Sequence, residues 1–528
     1  MKIALVSAPY DTNLYRIGET LGIKYLASLL LENNFEVDVF EPTLMNLNIK
    51  ELHNLLTEKE YDIIGFSIMF DASVNNVARA VKNLRDSSYR GHITLGGHVP
   101  SLSPEEILLS IPGADSIVLY EGEETLLDLS NTIKQGKNLS NVDGLAYREN
   151  NLIRKTNLRK PIENLDTLPF PLRDKLSMHL GYPHFFMISS RGCPYSCSFC
   201  SVTTFYQSAG CELWRCRSIS NLIEEINFLI NKFGATTISF LDDEFLVNKF
   251  ARERAKKFAK TLIEQNLKLS WSIECRCDDV DEILFSLLKE SGLRHVFLGI
   301  ESGVQSVLDR FNKNTTVYIN RNAVNIIRKL GISLAVGFIM FDPYTTIGEV
   351  KENIDFLDEM QIVSYTSLAT KLKIYKGTPI FSLLYYQKRL KNKGFEYDFN
   401  FNQQNVYFVY NAFLNSLRPY YKVEIELKKL EFLSDNYVIP SKSNILDKEY
   451  NEANTLNKKF MLELLDYSKQ IIKSIELNRF MNNKKLRYLI DDIKNQADIS
   501  STILNKKVKN HIKFIEKNVS LNNAYKTK

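Results

Sequence analysis

The chain has 528 residues, with 67 lysines and arginines against 62 acids; its formal charge of +5 is too small for this length to mark a nucleic-acid binder, which shows a clustered basic face. Its 44% hydrophobic and 24% charged content is that of a globular protein of about two to four domains, each able to bury a core. Seven cysteines without the spacing of a disulfide framework, no apolar run near the ~18 residues of a membrane span, and an N-terminus without a signal-peptide core predict a cytoplasmic chain with no membrane span.

The first third predicts alternating strands and helices. Short apolar runs over 2–7, 35–40, 61–68, 93–96 and 116–120 read as strands, and 21–32 reads as a helix from Leu21, Tyr25, Leu26, Leu29 and Leu30. Continuous apolar strands alternating with helices predict a parallel, doubly wound, Rossmann-like sheet. Ligands of such sheets bind beyond the strands' carboxyl ends. The loops there hold Ser67 and Met69, then Gly96, Gly97 and His98, then Glu121, Gly122 and Glu123. Glycines in these loops let backbone approach a bulky flat ligand. No G-x-G-x-x-G follows the first strand, which argues against a dinucleotide.

Ala8-Pro9, Leu21-Gly22-Ile23-Lys24-Tyr25-Leu26-Ala27, Leu95-Gly96-Gly97-His98 through Pro104-Glu105, and Glu121-Gly122-Glu123 together resemble the cobalamin-binding domain that precedes many radical SAM enzymes. The likeness covers residues 1–140. The D-x-H-x-x-G motif, which supplies a lower axial histidine in other cobalamin proteins, is absent, so the resemblance implies cobalamin bound without that ligand. A lone histidine after two glycines is more often a loop hydrogen-bonder than a metal ligand, and His98 is read so. A degenerate domain without ligand is the bland alternative. Residues 141–183, with Pro161, Pro169 and Pro171, read as a linker.

A strand over 184–190 then delivers Cys193, Cys197 and Cys200 in the spacing C-x3-C-x2-C. Three thiolates on one loop can hold three irons of a cubane and leave the fourth open, and an open position marks a catalytic rather than a structural metal site. Half of a zinc site completed by Cys211 and Cys216 is the alternative, but zinc motifs come as paired cysteines or Cys/His pairs. The spacing, with Phe199 before the last cysteine, resembles the signature of the radical SAM enzymes. The resemblance implies a [4Fe–4S] cluster whose open iron chelates S-adenosylmethionine, and a 5′-deoxyadenosyl radical that abstracts hydrogen.

Helices over 220–233, 249–264, 283–290 and 317–329 alternate with strands over 237–241, 270–274, 296–300 and 333–340, and 371–375 reads as a last strand. Repeated β/α units predict a partial (β/α)6 TIM-like barrel over 184–380, with its active site at the strand ends. Asp242, Asp243, Glu244, Glu274, Arg276, Glu301 and Ser302 recur at those ends. A zwitterionic amino acid with ribose hydroxyls needs such a mixture of acids, cations and hydroxyls. The resemblance implies the amino group near Asp242–Glu244 and the ribose and carboxylate near the other four. Each acid alone reads as a solvated loop carboxylate. At the fifth strand end the family's G-x-P-G-E-T is replaced by Gly337 through Thr346, which retains Pro343 without the glycine.

Residues 381–528 lose the rhythm and predict a mainly helical cap, with helical spacing over 461–477 and near Ile490, and an aromatic stretch over 399–414 that serves as core or substrate contact. The terminal lysines (Lys506, Lys507, Lys509, Lys513, Lys517, Lys526 and Lys528) read as a solvated helix end. The resemblance implies methyl transfer by way of methylcobalamin to an unactivated carbon, or phosphorus, of a small-molecule or peptide substrate. Cyclisation, ring contraction or rearrangement, and a non-catalytic cobalamin or cluster sensor, are the alternatives. A reducing donor such as flavodoxin or ferredoxin is the implied partner.

Overall fold

The computed structural model describes residues 1–9, 18–150, 152–174, 177, 182–433, 444–477 and 483–526. Of the expected linker, 151, 175–176 and 178–181 lie outside them, as does Lys528. The chain forms two compact units: Met1–Thr261, Asn266–Leu269 and Ile374–Asp398 make the first, and Leu262–Gln265, Ser270–Lys373 and Phe399–Lys528 the second.

The first unit opens as the expected α/β module. Strands β1 (Lys2–Ser7), β2 (Glu36–Phe40), β3 (Ile63–Ser67), β4 (His92–Gly96) and β5 (Ser116–Val118) pair in parallel in the order β2-β1-β3-β4-β5. This order places a topological switch point between β1 and β3, where such sheets take ligands. Helices α1 (Leu21–Glu32), α2 (Ile49–Glu58), α3 (Val74–Asp86), α4 (His98–Leu102), α5 (Pro104–Ser110) and α6 (Glu123–Lys134) separate the strands. β1 and β3 are buried almost end to end, which is why they read as unbroken apolar runs. α2 starts where it does because Asn48 and Glu51 form a reciprocal capping box.

Part of the stretch read as linker is sheet. β6 (Leu145–Glu149) and β7 (Leu152–Lys155) form a hairpin that adds two antiparallel strands beyond β5. The polar residues of β7 hid it, since an edge strand has no need of an apolar run.

Further along the first unit come β8 (His184–Met187), β9 (Ser190–Arg191), α7 (Ser201–Ser208), β10 (Arg215–Cys216), α8 (Ile219–Phe233) and β11 (Thr237–Phe240). β8 pairs in parallel with β11, and β9 in antiparallel fashion with β10. α8 is capped by the Ser218 side chain and ends at Gly234, whose left-handed backbone (φ +66°) stops the helix. α9 spans Lys249–Glu264.

In the second unit β12 (Ser270–Arg276), β13 (Leu293–Glu301) and β14 (Ser333–Phe338) are parallel neighbours. α10 (Glu282–Glu290), α11 (Gln305–Arg310), α12 (Val317–Lys329) and α13 (Ile347–Glu359) follow the β/α alternation. Residues 371–375, expected as a last strand, make only single bridges, Phe341 to Lys371 and Ile374 to Tyr397. The C-terminal region is helical, as expected: α14 (Tyr365–Ala369) and α15 (Pro379–Tyr386) precede a hairpin of β15 (Leu390–Lys393) and β16 (Glu396–Phe399), and then come α16 (Gln404–Ser416), α17 (Pro419–Leu433), α18 (Asn444–Leu477) and α19 (Asn483–Lys526). Of the aromatic stretch, Phe399 and Phe413 are core, while Tyr407 and Phe408 are exposed. Among the described residues no helix is long and apolar enough to cross a membrane.

Candidate functional site

The first unit contains a cavity of about 390 Å³ at the carboxyl edge of the parallel sheet. Its floor is made by Leu5 of β1, Gly65 of β3, Thr94 of β4 and Val118 after them on β5. Ser67, Met69, Gly96, Gly97, His98, Glu121, Gly122 and Glu123, all singled out from sequence, line it. Arg191, Val202 and Tyr206, from the segment that carries the cysteines, and Asp243, which follows β11, line it as well. Most of this surface is apolar, as in cofactor pockets generally.

Glycine is required here at defined points. Gly97 has φ +95°, and a Cβ there would stand 2.8 Å from the Ile68 carbonyl oxygen. A Cβ on Gly65 would meet a Leu5 methyl at 3.2 Å. Gly96 differs, since its nearest neighbour, the Val118 carbonyl oxygen, would be at 3.6 Å, an ordinary contact.

His98 stacks on Phe205 with ring centroids 4.7 Å apart, and its Nε2 is buried without a hydrogen-bond partner. Burial holds its imidazole down at about 4. The unfolded chain takes this proton near pH 6.5 and the folded chain near 4, so stability falls as pH drops between them, by ~2 kcal/mol at pH 5. In urea unfolding of the cofactor-free protein, the lead of wild type over His98→Gln should shrink between pH 7.5 and pH 5. A lead independent of pH would contradict this account.

The three cysteines lie on the loop between β9 and α7 and are half-buried. Gly192 (φ +92°) turns the chain into that loop, and its Asp243-bound N–H (3.0 Å) pins the turn. Cys200 donates its N–H to the Cys197 carbonyl (3.1 Å) and occupies the N-cap of α7. Burial pushes the Cys193 thiol up to about 12, with Glu244, Cys200 and Asp243 adding to the rise. Thiols so placed need a bound cation before they ionise. Among the described residues no three His, Cys, Asp or Glu side chains converge on one ion. A cubane does not ask for that, because each of its thiolates binds a different iron.

The acids after β11 divide by environment. Asp242 is buried and already satisfied, accepting the Ser189 N–H (2.7 Å) and the Ser189 and Ser190 hydroxyls. Arg254 donates to the Ser189 hydroxyl (3.2 Å) and carbonyl (2.9 Å), bracing the same turn. Asp243 faces the cavity. Glu244 is buried and accepts the Leu246 N–H at 3.3 Å. Phe199 is half-buried in the cysteine loop.

Tyr25 also lines the cavity, and burial and Glu225 push its phenol up to about 12. Behind it lies a buried charge network that the sequence reading missed. Lys24 binds Glu19 (3.1 Å) and Glu41 (3.0 Å), Arg173 binds Glu19 and Glu225 (2.9 Å), and Arg217 binds Glu225 (2.6 Å). No periodicity announces such a network, because its members come from four separated segments.

The second unit holds the remaining candidates. Glu301 ends β13 in the left-handed region (φ +62°), where a residue with a Cβ is strained, and the β13–β14 register shifts beside it. Its carboxylate accepts from Lys313 Nζ (3.1 Å), a buried lysine the sequence reading did not select. Arg276 chelates Asp278 through Nε (2.9 Å) and Nη2 (3.0 Å) and donates to the Lys313 carbonyl (2.6 Å). Ser302 is buried and donates to Asn353 (2.9 Å), and Glu274 is half-buried on β12.

Residues 9–130 match the B12 binding domain family, and residues 187–357 the Radical SAM superfamily. An uncharacterized methyltransferase of Pyrococcus horikoshii is 31% identical over 374 residues, covering 69% of this chain and 79% of the relative. The anaerobic magnesium-protoporphyrin IX monomethyl ester cyclase of Rubrivivax gelatinosus is 27% identical over 60% of this chain and 58% of its own length. The solved cobalamin-dependent S-adenosylmethionine radical enzyme OxsB, with aqua-cobalamin bound, shares the fold at a TM-score of 0.73 and 20% identity, over 99% of this chain and 80% of that one.

Proposed function

The chain belongs to the cobalamin-dependent radical SAM enzymes, with a [4Fe–4S] cluster, S-adenosylmethionine and cobalamin as cofactors, and from that premise we propose that it methylates an unactivated carbon, or phosphorus, of a biosynthetic intermediate. The observation that carries this reading is the shared wall. One cavity in the first unit joins the glycine-lined carboxyl edge of the sheet to Arg191 and Asp243 beside the cysteines.

We assign Cys193, Cys197 and Cys200 to the cluster, and Ser67, Met69, Gly96, Gly97, His98 and Gly122 to cobalamin. Gly96 and Gly97 let its flat or bulky parts lie against bare backbone. A cavity of about 390 Å³ admits one arm of so large a ligand, not the whole. Asp243 and Glu244, with Phe199 on the cysteine loop, are assigned to S-adenosylmethionine; for Glu274, Arg276, Glu301 and Ser302 the same role rests on the family resemblance alone. Asp242 is assigned to the same site as a positioning residue, because its oxygens are taken by Ser189 and Ser190.

When bound, the cluster and S-adenosylmethionine supply the one-electron chemistry that opens an inert bond, and cobalamin supplies the methyl group. The chain's own part is to orient these groups and exclude water from them. A flavodoxin- or ferredoxin-type donor and a small-molecule or peptide substrate complete the reading. Non-methylating cyclisation is the second reading, favoured by the cyclase among the relatives.

Anaerobically reconstituted protein, given S-adenosylmethionine and a reductant, separates the two. Methylation yields S-adenosylhomocysteine together with 5′-deoxyadenosine, and cyclisation yields 5′-deoxyadenosine alone. Turnover of S-adenosylmethionine that never gives S-adenosylhomocysteine would overturn the methyl-transfer reading.

A further inference from the structure

Glu121 and Glu123 were read from sequence as cofactor contacts, but both are already engaged. Arg191 binds Glu121 (3.2 Å) through Nη1 and Glu123 (2.6 Å) through Nη2. Arg215 binds Glu121 at 2.6 Å and 3.1 Å, and the Ile162 N–H donates to it at 3.0 Å. None of the four side chains is more than 11% exposed. Two cations thus meet two anions in a neutral, desolvated lattice. The cations hold the Glu121 carboxyl below its usual range.

The lattice has two anchors. Its acids follow β5 on the sheet module, flank Gly122 on the cavity wall and come directly after Tyr120, which is held at φ +59°. Its arginines face each other across β9 and β10, and Arg191 is followed by the Gly192 turn (φ +92°) into Cys193. A Cβ on Gly192 would collide with the Leu213 carbonyl oxygen, so the turn takes glycine and nothing larger. Rings of Tyr25 and Tyr206 lie against the two guanidinium groups at 5.8 Å and 5.9 Å.

Desolvated arginine–carboxylate bridges are rigid and directional. A merely adhesive contact could have used apolar residues at less desolvation cost. We propose that Arg191, Arg215, Glu121 and Glu123 form a clamp that sets the spacing between the cluster and the cobalamin. Arg191 grips both carboxylates and is the positioning residue of the set. This rests on the cofactor assignment above.

The test uses the full chain loaded with cluster and hydroxocobalamin, then reduced. Iron, cobalt and melting temperature are measured first, and wild type that fails to load either cofactor would sink the assignment rather than the clamp. Pulsed EPR then reads the relaxation of cob(II)alamin caused by the reduced cluster, which depends on their separation and requires no turnover. Arg191→Lys keeps the charge but cannot bridge two carboxylates, and Glu123→Gln keeps the shape but removes one charge. Both should load both cofactors with at least a twofold change in that relaxation. Joint loss of both cofactors at unchanged melting temperature is the same result in stronger form. Unchanged relaxation in both variants, loss of one cofactor with the other undisturbed, or loss of both with a fall in melting temperature would overturn the clamp.

Discussion

Cys197→Ala protein should retain cobalamin and lose 5′-deoxyadenosine formation by roughly a thousandfold or more, a barrier increase of ~4 kcal/mol. The loss follows from the donor count, since a chain with two thiolates on this loop can no longer hold three irons. The Cys197 carbonyl keeps the Cys200 N–H in the variant, so the turn into α7 survives. The cysteine is half-buried, and truncating it opens no large void, so stability should change by about 1 kcal/mol or less. Cobalamin should stay because none of the three cysteines lines the 390 Å³ cavity. Iron analysis, cobalt analysis and product chromatography under a strong reductant check all three parts. A variant that still carries a full cluster and makes 5′-deoxyadenosine within tenfold of wild type would falsify the cluster assignment.

Much of the first unit was legible because its physics is local. β1 and β3 are buried on both faces, so their residues read as apolar runs, and Gly96-Gly97 marks a loop in which Gly97 has a backbone that only glycine tolerates. The three cysteines announced themselves by spacing alone. What stayed hidden is what depends on distant partners. Glu121 and Glu123 looked like free acids in a ligand-binding loop, and only the fold brings Arg191 and Arg215 to them. Asp242 reads as one more acid at a strand end, yet the hydroxyls of Ser189 and Ser190 consume it. Lys313 lies in a polar stretch, and only the fold brings its ammonium to Glu301 at the end of β13. In the β6–β7 hairpin, β7 is an exposed edge strand without a periodic signal, and the buried apolar run of β6, Leu145 to Tyr147, is only three residues long.

Gly96→Phe should fold, keep the cluster and lose cobalamin by at least a hundredfold in affinity, ~2.7 kcal/mol. The position was chosen for its backbone. Gly96 is the last residue of β4 and has no positive φ, and the nearest atoms to a Cβ there lie at 3.6 Å and 3.9 Å, so a side chain adds no strain. Gly96 borders the cavity, so a ring built there has the cavity's space beside it. A phenyl ring there takes up space that a bound corrinoid arm would need and excludes it without touching the sheet's hydrogen bonds. Gly97→Ala, its neighbour, is the contrasting control. It adds a single methyl, but at φ +95° and ψ −170°, a region essentially restricted to glycine, and 2.8 Å from the Ile68 carbonyl oxygen, so its cost falls on folding, at ~1–3 kcal/mol, with less of the cavity filled. The pair therefore dissociates two measurements. Gly96→Phe should move the hydroxocobalamin titration and leave the melting temperature within a few degrees, and Gly97→Ala should do the reverse. If Gly96→Phe binds cobalamin as wild type does, the cavity at the sheet's carboxyl edge is not where the corrinoid sits, and the shared wall that carries the methyl-transfer reading loses its meaning.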